Sequence, residues 1–523
     1  MASNIGPKAF MRLLVALLFT FSQSVANVRA LTPEQWKEDL ATLRHAISAH
    51  PNPFHKAAKE DFDRKADALA ADLETLQDFE VVARMAELVA MLNDGHTRLT
   101  MPMVESADLF VGHGKVDPPK IQPFGHFPVR LARTADGLVV TRASEEHKDL
   151  LGALVLKIEE KPIAQVESAV RSVVHGDNEY ERDYLLPDFV VVPELLAAVG
   201  IAPNRGNTSW TFRLSNEEVI SRTLAPLRND APKWAYLNKS SKPRGERHWF
   251  NKLPDGLIYA RLTDILNDPK ETVAQFAESL FSQIDTTPGA TLALDLRDNQ
   301  GGDNTLNDAI VRAAIRSKKL WEPGRFFVLT NAGTFSAASN LTVLLERWTP
   351  AIFIGQPIGG APNGYGDPKL TVLPNSGLSA LVSSLYWQLS TPNDKRDSIV
   401  PLLLVEPTLT SLRTGQDLAV ELVDSLLKKP ISATGNFVGQ WAVPGKILKM
   451  SFRIKTDQTV LTVPDLKIQA QPLGNLKRQD AMLEGSATLG GQTLTVHGRL
   501  GGRHFLGWVD IAGRPYAFAT EFE

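Results

Sequence analysis

Three polar positions far apart in this chain have the types needed for acyl transfer. Ser336 follows the short apolar run that starts at Val328 and opens an amphipathic stretch, Ala337–Trp348. A helix N-terminus has unpaired N–H groups and a partial positive charge, so a hydroxyl there is either a cap or a nucleophile. Gly301 and Gly302 end the polar turn of Asp295–Gly302. Glycines present backbone N–H groups without side-chain obstruction, which suits an oxyanion hole, although ordinary turns use them too. A phosphate loop is excluded because no Gly-Lys-Ser/Thr follows. His96 comes directly after Gly95, where a helical pattern breaks. It is either a surface or capping histidine or a general base that titrates near neutrality. The stretch Ile354–Pro368 carries five glycines and three prolines, a loop shaped by its backbone.

Taken in order, the motifs Asp94–Thr97 (DGHT), Asp295–Gly302 (DLRDNQGG), Thr334–Ser339 (TFSAAS) and Gly355–Pro368 resemble those of the C-terminal-processing (tail-specific) serine proteases and their tricorn-like relatives. The resemblance covers about 31–430. It implies a crotonase-like (ClpP-like) α/β core and a nucleophile at Ser336. It also implies oxyanion donors at the backbone of Gly301 and Ala337. The better-known branch uses a lysine in the glycine-rich loop, and here Ala361 stands where that lysine would fall; Ser339 stands where the family usually has a glutamate. The tricorn-like branch implies His96 as the base instead. A third, acidic residue would fix its tautomer. Asp94, Asp367, Asp394 and Glu406 are the candidates, and Asp394 matches the place where that branch puts its acid. The implied function is an exported serine-type peptidase acting on peptides or unfolded protein. The loss of the lysine motivates a different reading, a non-catalytic peptide- or carboxylate-binding protein on a degenerate protease scaffold. An esterase using the same serine is a third.

The elements that must position these residues follow from hydrophobic periodicity. Residues 31–112 read as a helical unit. It opens on Thr32 as N-cap, Pro33 at the first helical position and Gln35 at the third. Residues 113–230 read as short strands with one helix, Ala164–Val174, in an order that resembles a PDZ domain. Residues 231–430 alternate strand and helix, with buried strands at "ATLALDLRDN", "RFFVLTN" and "AIFIGQP". Residues 431–523 read as six alternating strands, a small barrel or sandwich. The expected fold class is therefore multidomain α+β. Asp295 and Arg297 are expected to form an ion pair holding the oxyanion strand. Tyr386 and Trp387 are expected to be core or cleft wall. His45, His50 and His55 lack helical metal spacing and suggest solvated helix ends.

Composition bounds the partners. The 523 residues are 43% hydrophobic and 22% charged, and the formal charge is −3. No basic tract interleaves with aromatics, which argues against nucleic acid. Residues 1–30 read as a cleaved signal peptide: Lys8 and Arg12 precede the apolar run Leu13–Phe21, which is too short to span a bilayer. The chain has no cysteine, which excludes disulfides, thiolate metal sites and a lipid anchor on cysteine. A periplasmic or secreted location is expected, with no cofactor, no metal and no stable membrane span. The sequence does not fix the oligomeric state.

Overall fold

A computed structural model describes residues 30–102, 118–228, 232–238, 246–489 and 491–523. The leader segment, apart from Ala30, lies outside the described residues. The chain is a mixed α/β protein of several units with a β-rich C-terminal region.

Three helices come first: α1 (Pro33–Ser48), α2 (Lys59–Asp72) and α3 (Asp78–Ala90). The Thr32–Gln35 capping box forms, and Trp36, Leu40, Leu43 and Ile47 are buried. The helical reading breaks where Asn93 takes a φ of 52°. This turn carries Asp94–Thr97 away from α3.

An antiparallel sheet follows. Its principal strands are Val129–Thr134, Gly137–Ser144, Leu154–Ile158, Thr208–Arg213 and Val219–Leu224. Three helices interrupt it rather than the single expected one: α4 (Ile163–Val170), α5 (Glu179–Val190) and α6 (Pro193–Ala198). Helix α5 has little apolar periodicity and contains Pro187 in its interior, so no amphipathic stripe marked it. Asn178 caps it by accepting the Glu181 N–H at 2.9 Å. Side chains of α1–α3 and of this sheet share one apolar core, from Trp36 to Trp210.

The central sheet has six strands in the order Leu403–Leu404, Ile352–Gly355, Phe326–Thr330, Thr291–Asp295, Leu257–Leu262 and His248–Lys252. All pairs are parallel except the last, an antiparallel edge. Every residue of Thr291–Asp295, Phe326–Thr330 and Ile352–Gly355 is buried. Continuous apolar runs of this kind are what a sheet covered on both faces requires. Helices α7 (Val273–Thr286), α8 (Asn307–Arg316) and α9 (Ala337–Trp348) belong to the apolar cluster on one face. The loops after Asp295, Thr330 and Gly355 all leave from carboxyl ends of parallel strands, where open α/β sheets build their sites.

The last region has nine strands, against the six expected. The three additional ones are Gly435–Val443, Gly474–Gln479 and Arg514–Phe522. Gly474–Gln479 is polar and largely exposed, and the first strand is interrupted by Gly439, so neither reads as a strand by alternation. The first and last strands pair, and the two edge strands are joined through Leu473 alone. The sheet therefore curls around a single apolar interior that includes Phe437, Phe452, Phe505 and Phe518.

Asp295, fully buried at the end of its strand, anchors the central sheet to what surrounds it. Arg297 donates to it at 2.6 and 3.0 Å, Arg261 donates at 2.7 Å, and the Tyr259 hydroxyl also donates. Arg297 then reaches Asp417 at 2.7 and 2.9 Å. Burial alone would raise the Asp295 pKa, but the two guanidiniums overcome it and hold the carboxyl well below the usual carboxylate range. Removing one member of a buried ion cluster leaves the others uncompensated. Asp295→Ala should therefore cost about 3–5 kcal/mol, measured by urea denaturation at pH 7. Because the folded pKa is depressed, this contribution is present at neutral pH and is lost as pH falls through the acid range.

Candidate active site

Ser336 sits at the N-cap position of α9, yet its side chain makes no capping hydrogen bond. Its backbone is at φ 53°, ψ −125°, a region that non-glycine residues rarely occupy and that typically costs about 1–3 kcal/mol. The conformation turns Oγ away from the helix N–H groups and toward His96, whose Nε2 lies 2.8 Å away. The side chain of this serine therefore does not cap the helix.

The chain folds this way because two strand-end loops are laced together. The Phe335 N–H donates to the Asn299 carbonyl at 2.9 Å. The Thr334 hydroxyl donates to the Leu296 carbonyl at 2.8 Å, and the Gln300 amide donates to the Gly333 carbonyl at 3.0 Å. The Asn331 amide reaches the Asp298 carboxylate at 2.7 Å. The Asn307 amide donates to the Ala337 carbonyl at 2.8 Å, joining α8 to the start of α9. Gly301, at φ 100°, passes so close to the serine that a Cβ there would lie 2.6 Å from Ser336 Cβ and 2.8 Å from Ala337 N. Only glycine fits.

The two expected oxyanion donors both border Ser336 but differ in state. The Ala337 N–H opens α9 and has no acceptor among the described residues. The Gly301 N–H donates to Asn299 Oδ1 at 3.0 Å.

His96 is carried by the turn after α3. Its own N–H donates to Asp94 Oδ1 at 3.0 Å, and its ring stacks on Phe335 with centroids 4.4 Å apart. Nδ1 is buried without a hydrogen-bond partner, and the Tyr365 backbone lies against the ring. With the proton on Nδ1, Nε2 accepts from the Ser336 hydroxyl, the tautomer a general base needs. Burial lowers the His96 pKa to about 4; Arg98 pushes in the same direction, while Asp94, Asp367 and the Tyr365 carbonyl oppose it. The ring is therefore neutral and able to accept a proton at physiological pH.

The structure does not bring Asp394 to His96. Its carboxylate accepts from Ser390 at 2.6 Å and pairs with Arg396 at 2.8 and 3.0 Å; Arg396 in turn pairs with Glu346. Those close partners occupy both oxygens. The acids near His96 are Asp94 and Asp367. Asp367 accepts from Trp387 Nε1 at 2.5 Å. Asp94 accepts from Thr97 Oγ1 at 2.5 Å and from His50 Nε2 at 3.0 Å. Burial would raise its pKa, but these bonds and the His96 interaction hold it well below the carboxylate range.

His50 is not a solvated helix-end residue. It is 4% exposed, and its Nδ1 accepts the Asn52 N–H at 2.9 Å, which places its proton on Nε2 facing Asp94. A sequence periodicity argument misses this because the partner is 44 residues away. Asp177, Glu181 and His175 were also missed. Asp177 and Glu181 are buried around the same turn and His175 is half-buried beside them, and their segment carries no motif. Among the described residues no group of three or more His, Cys, Asp or Glu side chains could hold a metal ion, and no helix is long and apolar enough to cross a membrane.

No family model matches the sequence, and neither does any curated protein. Solved structures do. Mature CPAF complexed with lactacystin superposes with a TM-score of 0.51 at 12% identity, over 76% of this chain and 98% of that one. A serine-to-alanine mutant of CPAF gives 0.50 at 12% identity, over 76% and 96%. The photosystem II D1 C-terminal processing protease gives 0.35 at 14% identity, over 75% and 97%. At these identities the likeness is one of fold, and this chain shares the fold of CPAF. The match spans nearly the whole of that protein.

A histidine with a depressed pKa in the folded state binds fewer protons than it does unfolded, between about pH 4 and 6.5. Its contribution to stability is therefore lost as pH falls through that window. The direct check is NMR titration of the His96 ring, assigned with His96→Gln. The midpoint should lie near 4.

Proposed function

We propose that this chain is an exported serine-type peptidase of the tail-specific family. In this reading Ser336 attacks the scissile carbonyl of a peptide or unfolded protein. His96 takes its proton and returns it to the leaving amine. The single observation that carries the reading is the 2.8 Å contact between Ser336 Oγ and His96 Nε2, made by a serine in a strained backbone conformation at the head of a helix. The tetrahedral oxyanion would be held by the Ala337 N–H and, as a second donor, by the Gly301 N–H exchanging Asn299 Oδ1 for it. One such donor is typically worth about 10²–10³ in rate. Ionised Asp94 supports the imidazolium that forms, through its position on the same turn rather than through a bond to the ring. No lysine is required: neutral His96 supplies the base where the loop has Ala361. Asp394 has no part in the proton relay in this reading; it holds Arg396 instead.

The central sheet is read as the crotonase-like core and the sheet of residues 129–224 as the PDZ-like unit. Export rests on the leader-like composition of residues 1–30. The second reading, a binding protein on a degenerate scaffold, is favoured by one feature: the Gly301 N–H is already satisfied by Asn299.

Labelling with a fluorophosphonate separates the two. Wild type should react at Ser336, and Ser336→Ala and His96→Ala should each lower hydrolysis of an unstructured peptide by roughly 10³-fold or more with an unchanged melting temperature. A wild-type chain that neither labels nor hydrolyses such peptides supports the binder and overturns the peptidase.

A further inference from the structure

Between the His96 turn and the glycine-rich loop lies a buried segment that the proton relay does not use. Asp177 Oδ1 accepts the Gly95 N–H at 2.7 Å. The Ala361 N–H, in the glycine-rich loop, faces the same carboxylate. Glu181 accepts the Asp177 N–H at 2.6 Å. Its carboxylate lies so close beneath the turn that a Cβ on Gly95 would be 2.5 and 2.7 Å from its two oxygens. The Asn178 amide donates to the Asp397 carbonyl at 2.7 Å and to the Ile358 carbonyl at 3.3 Å. Lys56 donates to the Asp177 carbonyl at 2.7 Å. Residues 177–181 thus grip the turn that carries the base on one side and the loop after Gly355 on the other. Neither carboxylate bonds to the His96 ring.

We propose that Asp177 is a positioning residue: by bridging Gly95 to Ala361, it fixes the His96 turn against the glycine-rich loop and so seats the imidazole on Ser336. The inference rests on the serine–histidine reading of the site. Gly95 is the residue immediately before His96, so its N–H sets the origin of the imidazole. Tyr365, whose backbone lies against the ring, belongs to the loop on the other side of the bridge. The surroundings of the ring on both sides therefore depend on the spacing that Asp177 holds. A carboxylate suits the task because its two oxygens can each accept a separate N–H, which an amide cannot do.

The test reads two quantities, the kinetics and the His96 titration. In the wild type, burial together with Asp94, Arg98, Asp367, His175 and the Tyr365 carbonyl sets the ring. Loosening the turn would admit water to it and raise its midpoint toward 6.5. Asp177→Asn keeps one acceptor and should lower kcat on the order of tenfold, with KM unchanged. Asp177→Ala should lower it on the order of a hundredfold, because a displacement of about 1 Å can cost that much. The His96 midpoint should rise in the same order, by about half a unit and then by a unit or more. A role confined to stability would lower the melting temperature and leave kcat and the midpoint as in wild type, and that result overturns the proposal. If Asp177→Ala does not fold, Asp177→Asn decides alone: unchanged kcat and midpoint overturn it. A wild type silent toward peptides and fluorophosphonate sinks the Ser336 reading, and the midpoint series then still tests the bridge.

Discussion

The site depends on one crowded contact, the passage of the Gly301 backbone against Ser336. The serine's backbone conformation is unfavourable in isolation, and it persists because the surrounding loops over-determine it. Thr334, Phe335 and Gly333 are each tied to the neighbouring strand-end loop, and Gly301 leaves room only by lacking a side chain. The strain turns a hydroxyl that would otherwise cap α9 into one that faces an imidazole. The free Ala337 N–H beside it is a consequence of the same geometry, because the first amides of a helix have no partner within it.

Electrostatics around that contact are arranged in two tiers. Asp94 is ionised and satisfied by His50, Thr97 and the His96 backbone. Asp177 and Glu181, on the neighbouring segment, are pushed the other way. Burial raises Asp177 to about 7 with help from the Asp94 charge, and burial and Asp177 raise Glu181 well above its ordinary range. Carboxyl groups this close cannot all ionise cheaply. Asp94, on the His96 turn, is the one held most firmly in its charged form. The imidazole is kept neutral by its own burial, so the charge that supports its protonation is already in place before a proton arrives.

The scaffold explains how residues so far apart in sequence meet. Ser336 and Gly301 come from carboxyl ends of adjacent parallel strands, which the sheet register places side by side. His96 comes from a different unit altogether, 240 residues away from the serine. Its turn is reached by the Asp177 bridge and by Ser383, whose N–H donates to Thr97 Oγ1 at 3.1 Å. The central sheet supplies Ser336 and the helical unit supplies His96, so the contact exists only where these two units pack.

Local chemistry made much of this legible in the sequence. Apolar runs bounded by glycine announced the parallel strands, Thr32–Gln35 announced the first helix, and the types of Ser336, Gly301 and His96 singled out residues that meet in the fold, because periodicity, capping and glycine freedom act within a few residues. The sequence did not reveal helix α5, which has no apolar stripe, or three of the C-terminal strands, two of which alternate weakly. It also placed the acid at Asp394, where the fold supplies Arg396 and Ser390 as nearer partners, and it left His50 in solvent. Which carboxylate faces which ring is a matter of distances between units, and a burial that shifts a histidine to about 4 is a property of packing. Sequence spacing encodes neither, so these were decided only when the chain folded.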